Sequence, residues 1–228
     1  MNHYCALDLG KLHDFSCLAV DRLNGTKHEI IHCGRFRKGT PYAKVVKRTI
    51  ELVSKLPGDK MLCVDYGGIG VMASEGFSNA PFPVVNFLFT GGRMPSYEGS
   101  HWHIPKFMVF SVANAEISEG RVGIAGNIRD SAGLIREMGG YVMKMSSGGT
   151  ATFSNAPDVG FDDRVTSLCT AIYAAVREGV GEPGLTLEQC GISPSFGRLR
   201  EDEHTPASDA YIFQYGTCEE IARYLEGD

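Results

Sequence analysis

The chain has 228 residues, 43% of them hydrophobic, and a formal net charge of −5, which provides one sizeable core and excludes a disordered chain. No stretch approaches the ~18 consecutive apolar residues of a membrane span, and "MNHYCALDLG" lacks the basic-then-apolar order of a leader, so a soluble cytoplasmic protein with no membrane partner is expected. The charge is uneven: residues 1–177 hold 19 Lys and Arg against 16 Asp and Glu, a net of +3, whereas residues 178–228 hold 3 against 11, a net of −8, so the overall sign does not exclude a nucleic-acid partner.

Alternation and β-branched content predict strands near 3–9, 15–23 and 28–37, with a short loop at Lys11–Asp14 and a turn at Asn24–Gly25. These lengths fit an antiparallel meander. Pro41 opens an amphipathic helix running to about Leu56, whose apolar face is Val45, Val46, Ile50, Leu52 and Val53, and Pro57-Gly58 stops it. A strand ending at Asp65, a helix over 68–76 and a strand at "FPVVNFLF" follow, the order expected for parallel pairing with a right-handed crossover.

Pro105 starts the helix "PKFMVFSVANAEISEG", ended by Gly120. The apolar piece "RVGIAG" separates it from the helix "IRDSAGLIREMGG", and the hairpin "YVMKMSSGGTATFS" leads into a helix opened by Asp162-Asp163. In that helix Val165, Leu168, Cys169, Ile172 and Val176 form the buried stripe. Three antiparallel strands, then parallel ones, with helices on both faces, describe an α/β, ribonuclease H-like mixed sheet over residues 1–178. Residues 179–228 read as an acidic, partly irregular extension with a capping box at Thr217 and Glu220. The seven cysteines, Cys5, Cys17, Cys33, Cys63, Cys169, Cys190 and Cys218, are odd in number and contain no Cys-x-x-Cys pair; they read as reduced thiols of an intracellular protein.

Asp8 and Asp65 each end an apolar run and precede a glycine by two positions. That places both at the lip of the sheet, where open α/β sheets bind ligands. On neighbouring strands, about 5 Å apart, the two carboxylates would raise each other's pKa unless a cation intervened. Hard oxygen ligands suit Mg²⁺ or Mn²⁺, and two such ions roughly 3.5–4 Å apart serve phosphodiester hydrolysis. Taken alone, Asp8 reads equally as a strand-end carboxylate capping a turn. Gly67, Gly68 and Gly70 read as a tight turn rather than a phosphate cradle, and His101, Trp102 and His103 as a rim cluster before a helix.

Arg35, Arg37, Lys38, Lys44, Lys47 and Arg48 fall in "RFRKGTPYAKVVKR", which has no acidic residue. This is a candidate phosphate-contacting surface, although a solvated strand end and helix face is the commoner outcome for such a run. Lys106 reads both as a phosphate-neutralising group and as a plain exposed lysine.

The order of these motifs resembles the nuclease domain of the large terminase subunit of tailed double-stranded DNA phages. The resemblance rests on "ALDLGKLHDFSCLAV", "LCVDYGGIGVM", "HIPKFMVFSVANAEISEGRVGIAG" and "FDDRVTSLCTAIYAA", spanning about residues 3–177. It implies a two-metal endonuclease that cuts concatemeric double-stranded DNA during genome packaging, in the host cytoplasm, with a motor ATPase domain, portal and small terminase as partners. It implies Asp8, Asp65 and an acid of the Asp162-Asp163 pair as metal ligands, Asp163 favoured by the resemblance and Asp162 equally able to cap the helix. Asp14 is a further ligand or stands behind the ligands. Phe161 and Thr166 depart from the pattern, standing where many relatives have His and Asp.

No G-x-x-x-x-G-K-[ST] occurs, so an excised or separately encoded nuclease that does not respond to ATP is expected. Two rival functions share some features: an actin-like or sugar-kinase-like ATPase using "DLGKLHDFSCLAV" as phosphate loop, and a non-catalytic ribonuclease H-like module of a packaging complex.

Overall fold

The computed structural model describes residues 2–10, 14–67, 75–92, 94–126, 128, 131–145, 151–155, 160–179 and 210–212. The meander forms as expected: β1 (Asn2–Asp8), β2 (Cys17–Asn24) and β3 (Lys27–Arg35) pair antiparallel. Helix α1 (Tyr42–Ser54) starts after Pro41, whose φ of −56° suits a helix entry that needs no N–H donor. Strands β4 (Lys60–Asp65) and β5 (Val84–Thr90) then add in parallel on the other side of β1. Of the helix expected over 68–76, residues 68–74 lie outside the described residues, and Glu75–Phe77 form a single 3-10 turn.

Two short strands extend this edge, β6 (Ser96–Glu98) and β7 (His101–Pro105), and the full order is β6-β7-β5-β4-β1-β2-β3-β8. The expected rim cluster is thus corrected: His101 to His103 belong to a strand parallel to β5, and Trp102 is 4% exposed. Alternation over "HWHIP" was the signal, masked by its aromatic and imidazole content. Helix α2 (Lys106–Ser118) follows Pro105 directly, and β8 (Val122–Ile124) closes the opposite edge, parallel to β3. Helix α3 (Ser131–Gly139) precedes β9 (Tyr141–Met145) and β10 (Ala151–Asn155), the expected hairpin. Helix α4 (Asp163–Gly179) follows. Within the extension β11 (Ala210–Ile212) pairs antiparallel with β9, and residues 180–209 and 213–228 lie outside the described residues. The capping box at Thr217 lies outside the described residues.

Strand parity sorts the core into two layers. Cys5, Leu7, Leu18, Val20, Leu62 and Val64 pack with Val45, Val46 and Val53 of α1. Tyr4, Ala6, Cys17, Ala19 and Cys63 pack on the other face with α2 and α4. The expected stripe on α4 is wider than predicted, for every residue from Asp163 to Val176 is buried. The sheet lies on one side of α4, while α2 and α3 pack on others, so polar residues such as Thr166, Ser167 and Thr170 are enclosed as well. The second sheet joins this layer through stacked rings: Phe110 lies 4.7 Å from Tyr141 and 5.1 Å from Phe153.

A buried charge cluster fastens α2 to the meander. His28, 2% exposed, has Nδ1 2.5 Å from Asp21 Oδ2 and Nε2 3.4 Å from Glu116 Oε2. Arg121 donates to both oxygens of Glu116, at 2.5 and 2.8 Å. Burial opposes the imidazolium, but the two carboxylates outweigh it and raise His28 to about 9, while Glu116 falls to about 2 because Arg121 and His28 outweigh its own burial. The His28 contribution to stability is therefore complete below its unfolded pKa near 6.5 and is lost as pH rises through 9; that of Glu116 is complete above about 4.5 and is lost as pH falls through 2. Thermal denaturation from pH 6 to 10 should show the melting temperature declining across pH 7–9. In His28→Gln the protein should melt lower at pH 6.5 and lose most of that slope.

Candidate active site

The register decides where the carboxylates go. In the parallel β1/β4 pair Leu7 stands opposite Val64, so Asp8 and Asp65 come one step later, side by side, about 5 Å apart. By parity Asp8 follows Tyr4 and Ala6, and Asp65 follows Met61 and Cys63, so both face the α4 layer. Two glycines let the chain turn away after these strands. A Cβ on Gly10 would stand 2.4 Å from the Phe15 carbonyl carbon, so the loop can close onto β2 only with glycine there. Gly67 N–H donates to Asp65 Oδ1 at 2.7 Å, the tight turn read from the sequence, and a Cβ there would crowd the same oxygen at 3.0 Å.

The third and fourth carboxylates arrive with α4. Asp162 accepts the Thr166 N–H through its carbonyl at 2.9 Å, which makes it the residue before the first helical turn, and Asp163 is 6% exposed. Ser167 Oγ donates 3.1 Å to the carbonyl of Cys17, the cross-strand partner of Asp8, and lies 2.7 Å from the Asp163 carbonyl. It ties the start of α4 to the strand beside Asp8. Ala6, Leu7, Asp8, Asp65, Phe87, Phe89, Thr166, Ser167 and Thr170 line one small pocket. Thr166 lines the pocket where the resemblance led one to look for a further acid, and Ser167 and Thr170 are hydroxyl lining residues that sequence reasoning missed; their spacing of one and four residues from Thr166 within the apolar stretch of the helix was the available signal.

Burial pushes the Asp8 carboxyl well above the usual carboxylate range, and Asp65, Asp163 and Asp162 push it further; Lys106 alone opposes them. Asp65 is raised by burial, against the Gly67 N–H and Lys106. Burial lifts Asp163 to about 6, with Arg35 pulling down and Asp162 and Asp14 pushing up. Lys106 is the first residue of α2. Its Nζ lies 3.9 Å from Asp162 Oδ2 and within 5.6–6.0 Å of the rings of Phe89, Phe110 and Tyr141.

The remaining basic residues separate. Arg35 turns inward to Asp163 at 3.0 Å and Glu137 at 2.9 Å. Exposed Lys38 sits over Phe15 and Phe161, at 5.5 and 5.0 Å. Arg37 is exposed in the turn after β3, and Lys44, Lys47 and Arg48 are exposed on α1, which packs across the sheet from the carboxylates. Asp14 is exposed on the loop before β2.

No protein-family model matches the sequence, and no curated protein does. Solved structures do match the fold. The large terminase nuclease of the thermophilic phage G20c, solved with bound magnesium, superposes with a TM-score of 0.57 at 20% identity over 75% of this chain and 80% of that one. The large terminase nuclease domain of Thermus phage P74-26 gives 0.52 at 16% identity, over 81% and 83%. The HK97 bacteriophage large terminase gives 0.55 at 13% identity, covering 76% of this chain and 39% of that one. The chain has the fold of a large-terminase nuclease domain. The mixed α/β sheet with helices agrees with the fold that the resemblance implied.

Among the described residues no group of three or more His, Cys, Asp or Glu stands in a ligating arrangement, and no helix is long and apolar enough to cross a membrane. The donor set nevertheless fits a hard divalent cation. It consists of carboxylates crowded until burial and mutual repulsion raise Asp8, with Lys106 opposing that rise and Arg35 engaged only with Asp163 among them. Mg²⁺ in particular is held by one or two carboxylates together with waters and substrate phosphates rather than by a complete protein cage.

The raised carboxyls make the metal-free protein prefer protons. The contribution of Asp163 is complete below about 3.8 and is lost as pH rises through 6. Without divalent ions the melting temperature should therefore fall between pH 4 and 6.5. Millimolar Mn²⁺ should restore it at pH 7.5, and Asp8→Asn should raise the metal-free value at pH 7.5 while removing the response to Mn²⁺. Differential scanning fluorimetry reads all three.

Proposed function

We propose that this chain is a metal-dependent endonuclease that cleaves double-stranded DNA with weak sequence preference, as the nuclease of a genome-packaging terminase. The observation that carries this reading is the side-by-side placement of Asp8 and Asp65 on the α4 face, joined by the Asp162-Asp163 pair. The fold match adds to it, since one such nuclease was solved with magnesium.

In this reading Asp8, Asp65 and Asp163 hold two Mg²⁺ or Mn²⁺ ions, with Asp162 and Asp14 at the margin. The chemistry such ions supply when bound is activation of the attacking water and stabilisation of the leaving oxygen of the phosphodiester. The chain's own contribution is orientation and charge. Asp8 and Asp65 are fixed by the sheet register, and Asp163 by the start of α4. Lys106, already beside Asp162, is placed to meet a phosphate oxygen as DNA approaches and to release the carboxylate. Lys38, above Phe15 and Phe161, and Arg37 in the adjoining turn supply sequence-independent phosphate contacts, which position a duplex without reading its bases, whereas Lys44, Lys47 and Arg48 of α1 stand across the sheet from the carboxylates. A motor ATPase domain, the portal and the small terminase are the partners this role calls for, in the host cytoplasm.

Plasmid cleavage with Mn²⁺, Mg²⁺ and EDTA tests the reading. Asp8→Asn and Asp65→Asn should lower the rate by a factor on the order of 10² or more while the fold is kept, because the amide keeps the size but loses the charge that holds the ions. Asp163→Asn should behave likewise, and Asp162→Asn less severely, since asparagine caps a helix about as well as aspartate and only a marginal ligand is changed. Cleavage by Asp8→Asn at the wild-type rate would overturn the two-ion assignment.

A further inference from the structure

Behind Asp163 stands a chain of charges that the proposed cleavage chemistry does not use. Arg35 Nη2 reaches Asp163 Oδ2 at 3.0 Å and Glu137 Oε1 at 2.9 Å. Glu137, 3% exposed on α3, also accepts from Arg164 Nη1 at 2.7 Å and from the Arg164 N–H at 3.2 Å. The Arg35 guanidinium is held on its faces as well, 4.7 Å from the Phe15 ring centroid and 5.3 Å from that of Phe161, and those rings meet edge to face at 5.0 Å. The guanidinium is thus fixed by a carboxylate behind it and by two rings around it.

Two cations and two anions balance, so the network sets the direction of the Asp163 carboxylate without adding a net positive charge to the pocket. Burying four charges seldom stabilises a fold more than apolar residues of the same size would. The arrangement gains its sense from what it holds in place. We propose that Arg35 and Glu137 are positioning residues for the ion site: Arg35 takes one oxygen of Asp163, so that the other is presented to the side where Asp8 and Asp65 stand before an ion arrives. This rests on the reading of Asp8, Asp65 and Asp163 as metal ligands and assigns what aligns the third of them.

The flat group matters more than the charge. A lysine at position 35 would keep +1, but its ammonium is not the planar, delocalised group that the rings of Phe15 and Phe161 hold by its faces, so nothing would fix one nitrogen between Asp163 and Glu137. Calorimetric titration of the metal-free full chain with Mn²⁺ should show affinity lowered about 10- to 100-fold in Arg35→Lys, the range found when groups behind metal ligands are replaced. Cleavage at saturating Mn²⁺ should return to within a few-fold of wild type, so the defect appears in the Mn²⁺ concentration needed and not in the limiting rate.

Phe15→Leu, at a half-buried position, should weaken Mn²⁺ binding a few-fold with little change in melting temperature, and it serves as the second variant if Arg35→Lys does not fold. Asp8→Asn is the control. Loss of Mn²⁺ binding in Asp8→Asn with wild-type affinity in folded Arg35→Lys and Phe15→Leu overturns the positioning role and leaves the ligand reading standing; wild-type affinity in Asp8→Asn overturns both.

Discussion

Like charges crowded at the carboxyl ends of β1 and β4 are the constraint around which this molecule is arranged. The parallel register brings Asp8 and Asp65 abreast, and the packing of α4 adds Asp162 and Asp163. Strand β1 has an antiparallel neighbour on one side and a parallel neighbour on the other, so the chain leaves its carboxyl end in a direction that opens a crevice there, as at the switch points of other open sheets. Gly10 and Gly67 are the local requirements of that geometry, since side chains at either would strike the Phe15 backbone or the Asp65 carboxylate.

Compensation for this crowding comes from two directions and in different forms. Lys106 approaches from the start of α2 and is partly exposed, resting against three aromatic rings. A lysine so placed is a mobile point charge that can change partners. Arg35 approaches from the end of β3 and is committed to Asp163 and Glu137 between two phenyl rings. Lys106 is the looser of the two cations and Arg35 the more tightly held, which in the proposed reading leaves the Lys106 side for a phosphate and the Arg35 side for setting geometry.

The second buried charge cluster shows the same residue types used differently. Asp21 stands opposite Tyr4 in the β1/β2 pair, four residues and so about 13 Å from the level of Asp8. There His28, Asp21, Glu116 and Arg121 meet with opposite signs in contact, and the shifts favour the charged forms of His28 and Glu116, while burial raises Asp21 against the pull of His28. At the strand ends the signs are alike, and the shifts favour the neutral form of Asp8. Opposite charges in contact fasten α2 to the meander, whereas like charges at the strand ends, offset only in part by Arg35 and Lys106, leave a demand for cations.

Much of this was legible in the amino-acid sequence because it depends on local rules. Period-two runs located β1 to β5, prolines marked the starts of α1 and α2, and Asp8 and Asp65 followed by Gly two residues later announced strand-end carboxylates. Strand β7 was not legible, because imidazole and indole in "HWHIP" hid the alternation, and neither was the all-round burial of α4, which depends on which elements surround it. The basic run after β3 read as one surface; only tertiary packing separated Arg35, drawn inward by two buried carboxylates, from Lys38 above the rings and from the lysines of α1 across the sheet. Glu137 carried no sequence signal at all, since a lone acid on a short helix is ordinarily solvated. The sequence by itself determined which carboxylates stand at strand ends, since periodicity and glycine placement act over a few residues. Only the tertiary structure decided which cations reach them, because the sequence separation of 128 between Arg35 and Asp163 is bridged by packing rather than by any spacing along the chain.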